Sequence, residues 1–186
     1  TTDLDQRPAA KRMRASLMRY IESDSCAPSA SVDPAAIRGL FRDPSVMERL
    51  GARPVGPISA QPGFPASHAI DGDPSTMWHS SWGDPDAAHP HAFAFALSAP
   101  TEITGIAYLP RQSGGENGMI GRYEVQTSLD GEAWRTVAAG SFRPGPDEQR
   151  VQFSEPTLAR FVRLRSLNAV NGSRFAAIAE LRVLLP

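Results

Sequence analysis

Two acids, Asp71 and Asp73, flank Gly72 in the segment AIDGDPSTMWHSSW at residues 69–82, and Thr76 follows three residues later. Carboxylates on a tight turn, with main-chain carbonyls folded in beside them, suit calcium, which takes about six to eight oxygen ligands. The same spacing suits a pair of Asx turns, and on spacing alone the turn reading leads. Glu180, in AAIAE, is distant in sequence but completes an oxygen set if the last strand lies beside this turn. Trp78, His79 and Trp82 crowd together just after the acids. Trp78 reads as core, whereas His79 and Trp82 follow into a serine-rich loop and read as exposed. A lone histidine is ordinarily structural; beside an aromatic it is also a ligand group.

Two further segments carry usable chemistry. In YLPRQSGGENGMI, residues 108–120, a strand ends at Pro110 and Arg111 opens a glycine-rich loop that holds Glu116 and Asn117. Arginine offers a planar fork of donors and asparagine both a donor and an acceptor, the mixed partners that sugar hydroxyls require. A solvated loop with an idle arginine is the plainer reading. In NAVNGSRFAAIAE, residues 168–180, Asn171-Gly172 makes a turn and Phe175 follows just before a strand. At a loop edge its ring would stack on the C–H face of a sugar; a core position is at least as compatible with composition.

The elements that must position these groups fall in two parts. Residues 1–52 read as a helical linker segment. Pro8 suits a first helical turn, and Ala9, Met13, Leu17 and Ile21 recur at helical spacing. Asp33-Pro34 starts a short helix with Ile37, Leu40 and Phe41; Asp43-Pro44 starts another with Val46, Met47 and Leu50, closed by Gly51. Helices this short require a body to dock on. Residues 53–186 read as short strands and turns: HAFAFAL at 91–97, TEITGIAYL at 101–109, RYEVQTS at 122–128, VQF at 151–153, RFVRLRS at 160–166 and AAIAELRVLL at 176–185. Asp130-Gly131 supplies a hairpin bend after Ser128. Many short strands with Gly/Pro-rich turns predict an all-β, antiparallel jelly-roll sandwich.

Composition sets outer bounds. The chain has 186 residues and 41% hydrophobic content, enough for a packed core. A net charge of -1 gives no field that draws nucleic acid or an anionic membrane. Cys26 is the only cysteine, so core and metal must stabilise the fold without an internal disulfide. No apolar run is long enough to span a bilayer. The start, TTDLDQRP, lacks the pattern of a signal peptide, so any export address is expected outside this chain.

Taken together, AIDGDPSTMWHSSW, YLPRQ, NGMIGRYEVQTSLDGEAW, ARFVRLRS and FAAIAE resemble the coagulation-factor five/eight type C, or discoidin, domain, in its carbohydrate-binding module family thirty-two branch. The resemblance covers about residues 55–185. It implies an eight-stranded jelly roll with one structural calcium ion. The implied ligands are carbonyls at His68, Thr76 and Ala179 and side chains at Asp71, Asp73, Thr76 and Glu180, which turns the odds toward metal. It further implies a shallow site for terminal galactose-type sugars, with His79, Arg111 and Asn117 bonding ring hydroxyls, Phe175 stacking and Trp82 as a second wall. Extra glycine and Glu116 between Arg111 and Asn117 shift that loop's register. The N-terminal piece, TDLDQRPAAKRMRASLMRYIESD, resembles the end of the core of glycoside hydrolase family two enzymes such as β-galactosidases. That implies a covalently linked catalytic domain and a bacterial, extracellular or periplasmic setting.

The leading functional expectation is a non-catalytic module that holds a glycoside hydrolase at glycans bearing terminal galactose, with N-acetylglucosamine or lactosamine as alternatives. An enzyme would need two carboxylates facing across a cleft, and Asp84, Asp86, Glu116 and Glu132 are the candidates. A lipid or protein adhesion domain would carry greasy loop tips, and loop 111–118 is polar. A structural spacer with a dead site is the remaining alternative.

Overall fold

The structure is a computed structural model that describes residues 7–27, 43–83 and 87–186. The chain divides into two compact units, Thr1–Asp43 and Pro44–Pro186. In the first, helix α1 (Pro8–Ile21) begins with proline in its first turn, as its sequence requires. The stripe of Met13, Leu17 and Ile21 is exposed. The expected helix at 33–41 lies outside the described residues.

The second unit starts before the expected boundary at residue 53. Helix α2 (Val46–Arg49) belongs to it, because Met47 is only 1% exposed and forms part of the core. Its N-cap is Ser45, not Asp43. The Ser45 Oγ accepts from Glu48 N at 3.1 Å, and the Glu48 carboxylate accepts from Ser45 N at 2.7 Å, a reciprocal capping box. Gly51, at φ 60°, closes the helix as expected: Gly51 N donates to Glu48 O and Ala52 N to Met47 O.

Eight strands follow among the described residues: β1 (Arg53–Pro54), β2 (Trp78–His79), β3 (His91–Leu109), β4 (Arg122–Ser128), β5 (Arg135–Ser141), β6 (Gln149–Ser166), β7 (Ala177–Ile178) and β8 (Glu180–Leu184). All pair antiparallel, β1-β3-β6-β4-β5 with β8 also pairing β3, and β2 with β7. HAFAFAL and TEITGIAYL, read above as two strands, form one continuous β3. VQF and RFVRLRS likewise merge into β6. Along the β3–β6 pair the register shifts between Ala96 and Thr101 and again between Ile103 and Gly105. The first half of β3 therefore lies between β1 and the end of β6, and the second half between β8 and the start of β6. The expected single strand at 176–185 divides instead at Ala179, whose N–H donates to Leu109 O.

Phe93, Phe95, Leu97, Ile103, Ile106, Val125, Val162, Leu164, Leu181 and Val183 fill the core with Trp78. Burial of each large apolar side chain contributes about 1.5–3 kcal/mol. The alanines alternating with Phe93 and Phe95 are covered too, Ala96 to 1% exposure. The connection after Ser128 runs through residues 129–134, longer than a two-residue bend. Asp130 accepts from Glu132 N and Ala133 N, and Gly131 takes φ 84°.

Candidate functional site

The β2–β7 ribbon positions two constellations. Trp78 faces Ile178 and His79 faces Ala177, so the same register brings Thr76 toward Glu180 at one end and Phe175 toward the residues after His79 at the other. Ser80 fixes that second end: its N–H donates to Ala176 O at 2.8 Å and its Oγ accepts from Ala176 N at 3.0 Å. Trp78 is core, as expected, and its Nε1 donates to Ser59 O at 2.9 Å.

Beyond Ser80 opens a hollow of about 270 Å³ lined by Phe64, Met77, His79, Trp82, Arg111, Asn117 and Phe175. All five residues expected at a sugar site are gathered in it. One expectation needs correction: His79 is 1% exposed, a buried histidine rather than a loop-tip one. Its ring is boxed by Trp82 at 5.0 Å, Phe175 at 5.6 Å and Phe64 at 6.3 Å between centroids. Phe175 and Asn117 are half-buried, and Trp82 is 44% exposed.

The hydrogen bonds define what each group can do. His79 Nδ1 lies 2.7 Å from the carbonyl of Ser80. A carbonyl only accepts, so Nδ1 carries the proton and a neutral ring leaves a lone pair on Nε2. Nε2 is buried and has no hydrogen-bond partner among the described residues. Burial holds the His79 imidazole below its ordinary range and the Arg111 charge pushes the same way, against the Ser80 contact. The ring is therefore a neutral acceptor at pH 7. Arg111, 9% exposed, is clamped by its own loop: Nε donates to Ser113 O and Nη1 to Asn117 O at 2.7 Å. Its Nη2 lies against Gly114, which adopts φ +76°. Ser113, Gly114 and the Asn117 carbonyl thus form a collar around the guanidinium, and Asn117 also lines the hollow. Gly118 joins this collar to the opposite loop, accepting from Ala177 N at 2.7 Å and donating to Ser173 Oγ at 3.2 Å. An acceptor, a cationic donor and three aromatic rings converge on one cavity.

Phe64 and Met77 went unnoticed in the sequence. Phe64 packs on Trp82 at 5.5 Å, and its carbonyl accepts from His79 N at 3.4 Å. Its only signal was an aromatic inside a Pro/Gly loop, QPGFP.

At the other end of the ribbon the expected Asx turns are present. Asp71 Oδ1 accepts from Asp73 N at 2.9 Å, and Asp73 Oδ1 from Ser75 N and Ser75 Oγ. Oxygens nevertheless crowd inward. Thr76 Oγ1 lies 2.9 Å from Asp71 Oδ2, 3.0 Å from Asp73 O and 3.4 Å from His68 O, so one hydroxyl proton faces three acceptors. Glu180 Oε1 is buried without a partner among the described residues. Burial, with the neighbouring Asp71 carboxylate, pushes the Glu180 carboxyl up to about 8. A crowd of oxygens around two carboxyls that burial makes share a proton fits a hard, oxygen-preferring cation, which would take that proton's place. Among the described residues no three His, Cys, Asp or Glu side chains group as metal ligands, so such a site leans on carbonyls and a hydroxyl. Asp71 and Glu180 touch directly, which leaves no room for a sugar between them. Of the carboxylates considered for catalysis, Glu116 and Glu132 are exposed on separate loops, and Asp84 and Asp86 lie outside the described residues.

Residues 55–181 match the F5/8 type C domain. The chain belongs to this family. Residues 1–42 match a family described only as a domain of unknown function, DUF8487. Among curated relatives of this F5/8 type C domain is a galactose oxidase of Gibberella zeae, 39% identical over 127 residues, which are 67% of this chain and 18% of the relative. The chain thus spans about a fifth of that protein's length. Solved structures similar to it include the family 32 carbohydrate-binding module of Clostridium perfringens NanJ in complex with galactose. That module is 34% identical with a TM-score of 0.61, over 71% of this chain and 90% of the module. Another is a Clostridium perfringens family 32 module in complex with GalNAc-β-1,3-galactose, 33% identical with a TM-score of 0.62, over 72% of this chain and 93% of that one. The structural neighbours of this discoidin domain are therefore carbohydrate-binding modules, and the β-sandwich expected from the sequence is the fold they share.

Proposed function

We propose that the F5/8 type C domain is a non-catalytic sugar-binding module whose hollow takes a terminal galactose-type residue. The observation that carries this reading is the buried, partnerless Nε2 of His79 beside the clamped guanidinium of Arg111. An acceptor and a charged donor set side by side suit adjacent hydroxyls of one sugar ring. In this reading the Asn117 amide adds a mixed partner, while Phe175 and Trp82 take the apolar C–H faces. Leaving a buried acceptor unmatched costs about 1–3 kcal/mol, so a hydroxyl that satisfies it gains accordingly. An axial hydroxyl at carbon four would separate galactose from glucose by reaching between these groups. Binding of one monosaccharide is expected near millimolar, about 4 kcal/mol; retention on glycans would come from tethering. Titration of the folded chain with galactose, N-acetylgalactosamine and N-acetylglucosamine tests this. Saturable binding of the galactose-configured sugars supports it, and no binding of any of the three sinks it.

The reading includes a structural calcium ion held by Asp71, Thr76, Glu180 and carbonyls at His68, Asp73, Thr76 and Ala179. Its charge would neutralise the Asp71–Glu180 pair and tie the early turn to β8. The Asp73 side chain, whose Oδ1 accepts from Ser75 N and Oγ, would join the set through its other oxygen. We further propose that the domain serves a larger bacterial glycoside hydrolase, β-galactosidase-like on the resemblance of the N-terminal segment, acting outside the cytoplasm.

A further inference from the structure

We propose that His89 and His91 are positioning residues of the hollow, clamping the main chain of residues 173–174 so that Phe175 is held against His79. The proposal rests on the sugar-binding reading for its consequence, though not for its geometry. His91 is buried at the start of β3. Its Nε2 lies 2.7 Å from Arg174 O, which makes Nε2 the protonated nitrogen, since the carbonyl can only accept. His89 packs edge-on against it, 4.9 Å between ring centroids. His89 faces carbonyls on two segments, Ser166 O at 3.0 Å from Nδ1 and Ser173 O at 3.3 Å from Nε2, and a neutral ring has one N–H for them; with the Ser166 hydroxyl, 3.2 Å from Nδ1, donating to that nitrogen, Nε2–H is the group that donates to Ser173 O. The pair therefore bridges the end of β6, the start of β3 and the turn that precedes β7.

In that turn Asn171, Gly172 and Arg174 are exposed, Gly172 adopts φ 74°, and its N–H donates to Ala169 O at 3.1 Å. Ser173 N donates to Asn171 Oδ1 within the turn, and Ser173 Oγ accepts from Gly118 N in the Arg111 collar. The histidines thus fix a segment that touches both walls of the hollow: it carries Phe175 directly and braces the collar through Gly118. Ordering a wall before the ligand arrives removes that ordering cost from binding.

The test compares His91→Phe, which keeps a planar ring without the donor, and His91→Gln, which restores an N–H near the Nε2 position. His91→Phe is expected to bind galactose about threefold to tenfold more weakly, as one lost hydrogen bond implies. Exchange of the Gly118 amide should accelerate with it, and His91→Gln should restore most of both. Wild-type affinity and wild-type Gly118 protection in folded His91→Phe would overturn the proposal, as would His91→Gln behaving like His91→Phe. An experiment on the unaltered chain stands apart from folding losses: ¹H–¹⁵N spectra of the imidazoles should show His91 as the Nε2–H tautomer, and the Nδ1–H tautomer would overturn it. If the unaltered chain binds no galactose-type sugar, the functional reading fails, while the tautomer and the Gly118 exchange still decide whether the clamp exists.

Discussion

Gly114→Ala should abolish measurable sugar binding while Gly115→Ala leaves it nearly intact. Both glycines sit in the Arg111 collar in the left-handed region, at φ +76° and φ +70°. An alanine at either position pays a similar backbone strain, about 1–2 kcal/mol. Their surroundings differ. A Cβ at Gly114 would collide with Nη2 of Arg111 and lie 3.1 Å from its Cζ, whereas a Cβ at Gly115 meets nothing within 4 Å. Arg111 cannot yield freely, because Ser113 O and Asn117 O hold it on the other side. Displacing the guanidinium removes a charged hydrogen bond to the ligand, about 1.5–3 kcal/mol, or about 10- to 100-fold in affinity. From a millimolar start, that falls outside the range of calorimetry. Titration calorimetry or NMR titration of both variants, beside thermal melts, separates the effects: both variants should stay folded, Gly114→Ala should lose the more stability because it also moves Arg111 off Ser113 O and Asn117 O, and only Gly114→Ala should lose binding. Equal affinities for the two variants would refute the role given to the clamped guanidinium.

Three other outcomes are expected. Chelator should lower the melting temperature, because a cation bound only by the folded state at a hundredfold its dissociation constant adds about 2.7 kcal/mol; an unchanged melt, with no metal found by elemental analysis, would reject the calcium assignment. Sugar binding should be flat above pH 7 and fall in acid, as protonation of His79 takes the Nε2 lone pair. The imidazoles of His79 and His91 are both held below the ordinary 6.5, so the unfolded chain takes up protons first and stability is lost as pH falls from 6.5 through the lower folded values. Binding that strengthens on acidification, or a melt insensitive to pH between 7 and 5, would contradict this. Tyr108→Phe should destabilise the domain by about 1–3 kcal/mol in denaturant titration, since the buried hydroxyl accepts from Ile120 N at 3.0 Å and donates to Ala177 O at 3.2 Å; an unchanged midpoint would show that water replaces it.

Much of this architecture was legible in the sequence. The Phe93, Phe95, Leu97 alternation announces a buried face, and the ordered set of motifs places His79, Arg111, Asn117, Trp82 and Phe175 at one rim. The continuity of β3 and β6 was hidden because Pro100 and Pro156 separate the apolar runs on either side of them. Both fall within the register shifts, where the ladder asks for no hydrogen bond from them. The capping box at Ser45 and Glu48 was readable from its spacing but was masked by the stronger Asp-Pro signal at Asp43. The burial of His79 had no local signature, because Phe64 and Phe175 close over it from distant segments.

The central claim, that the hollow around His79 is where a sugar sits, is tested most directly by galactose titration of isotope-labelled full chain followed by NMR. The account predicts saturable shifts at the His79 imidazole, the Arg111 guanidinium, the Trp82 indole and the Phe175 ring. Shifts confined instead to the larger cleft lined by Trp134, Phe161 and Arg163, of about 390 Å³, would contradict it.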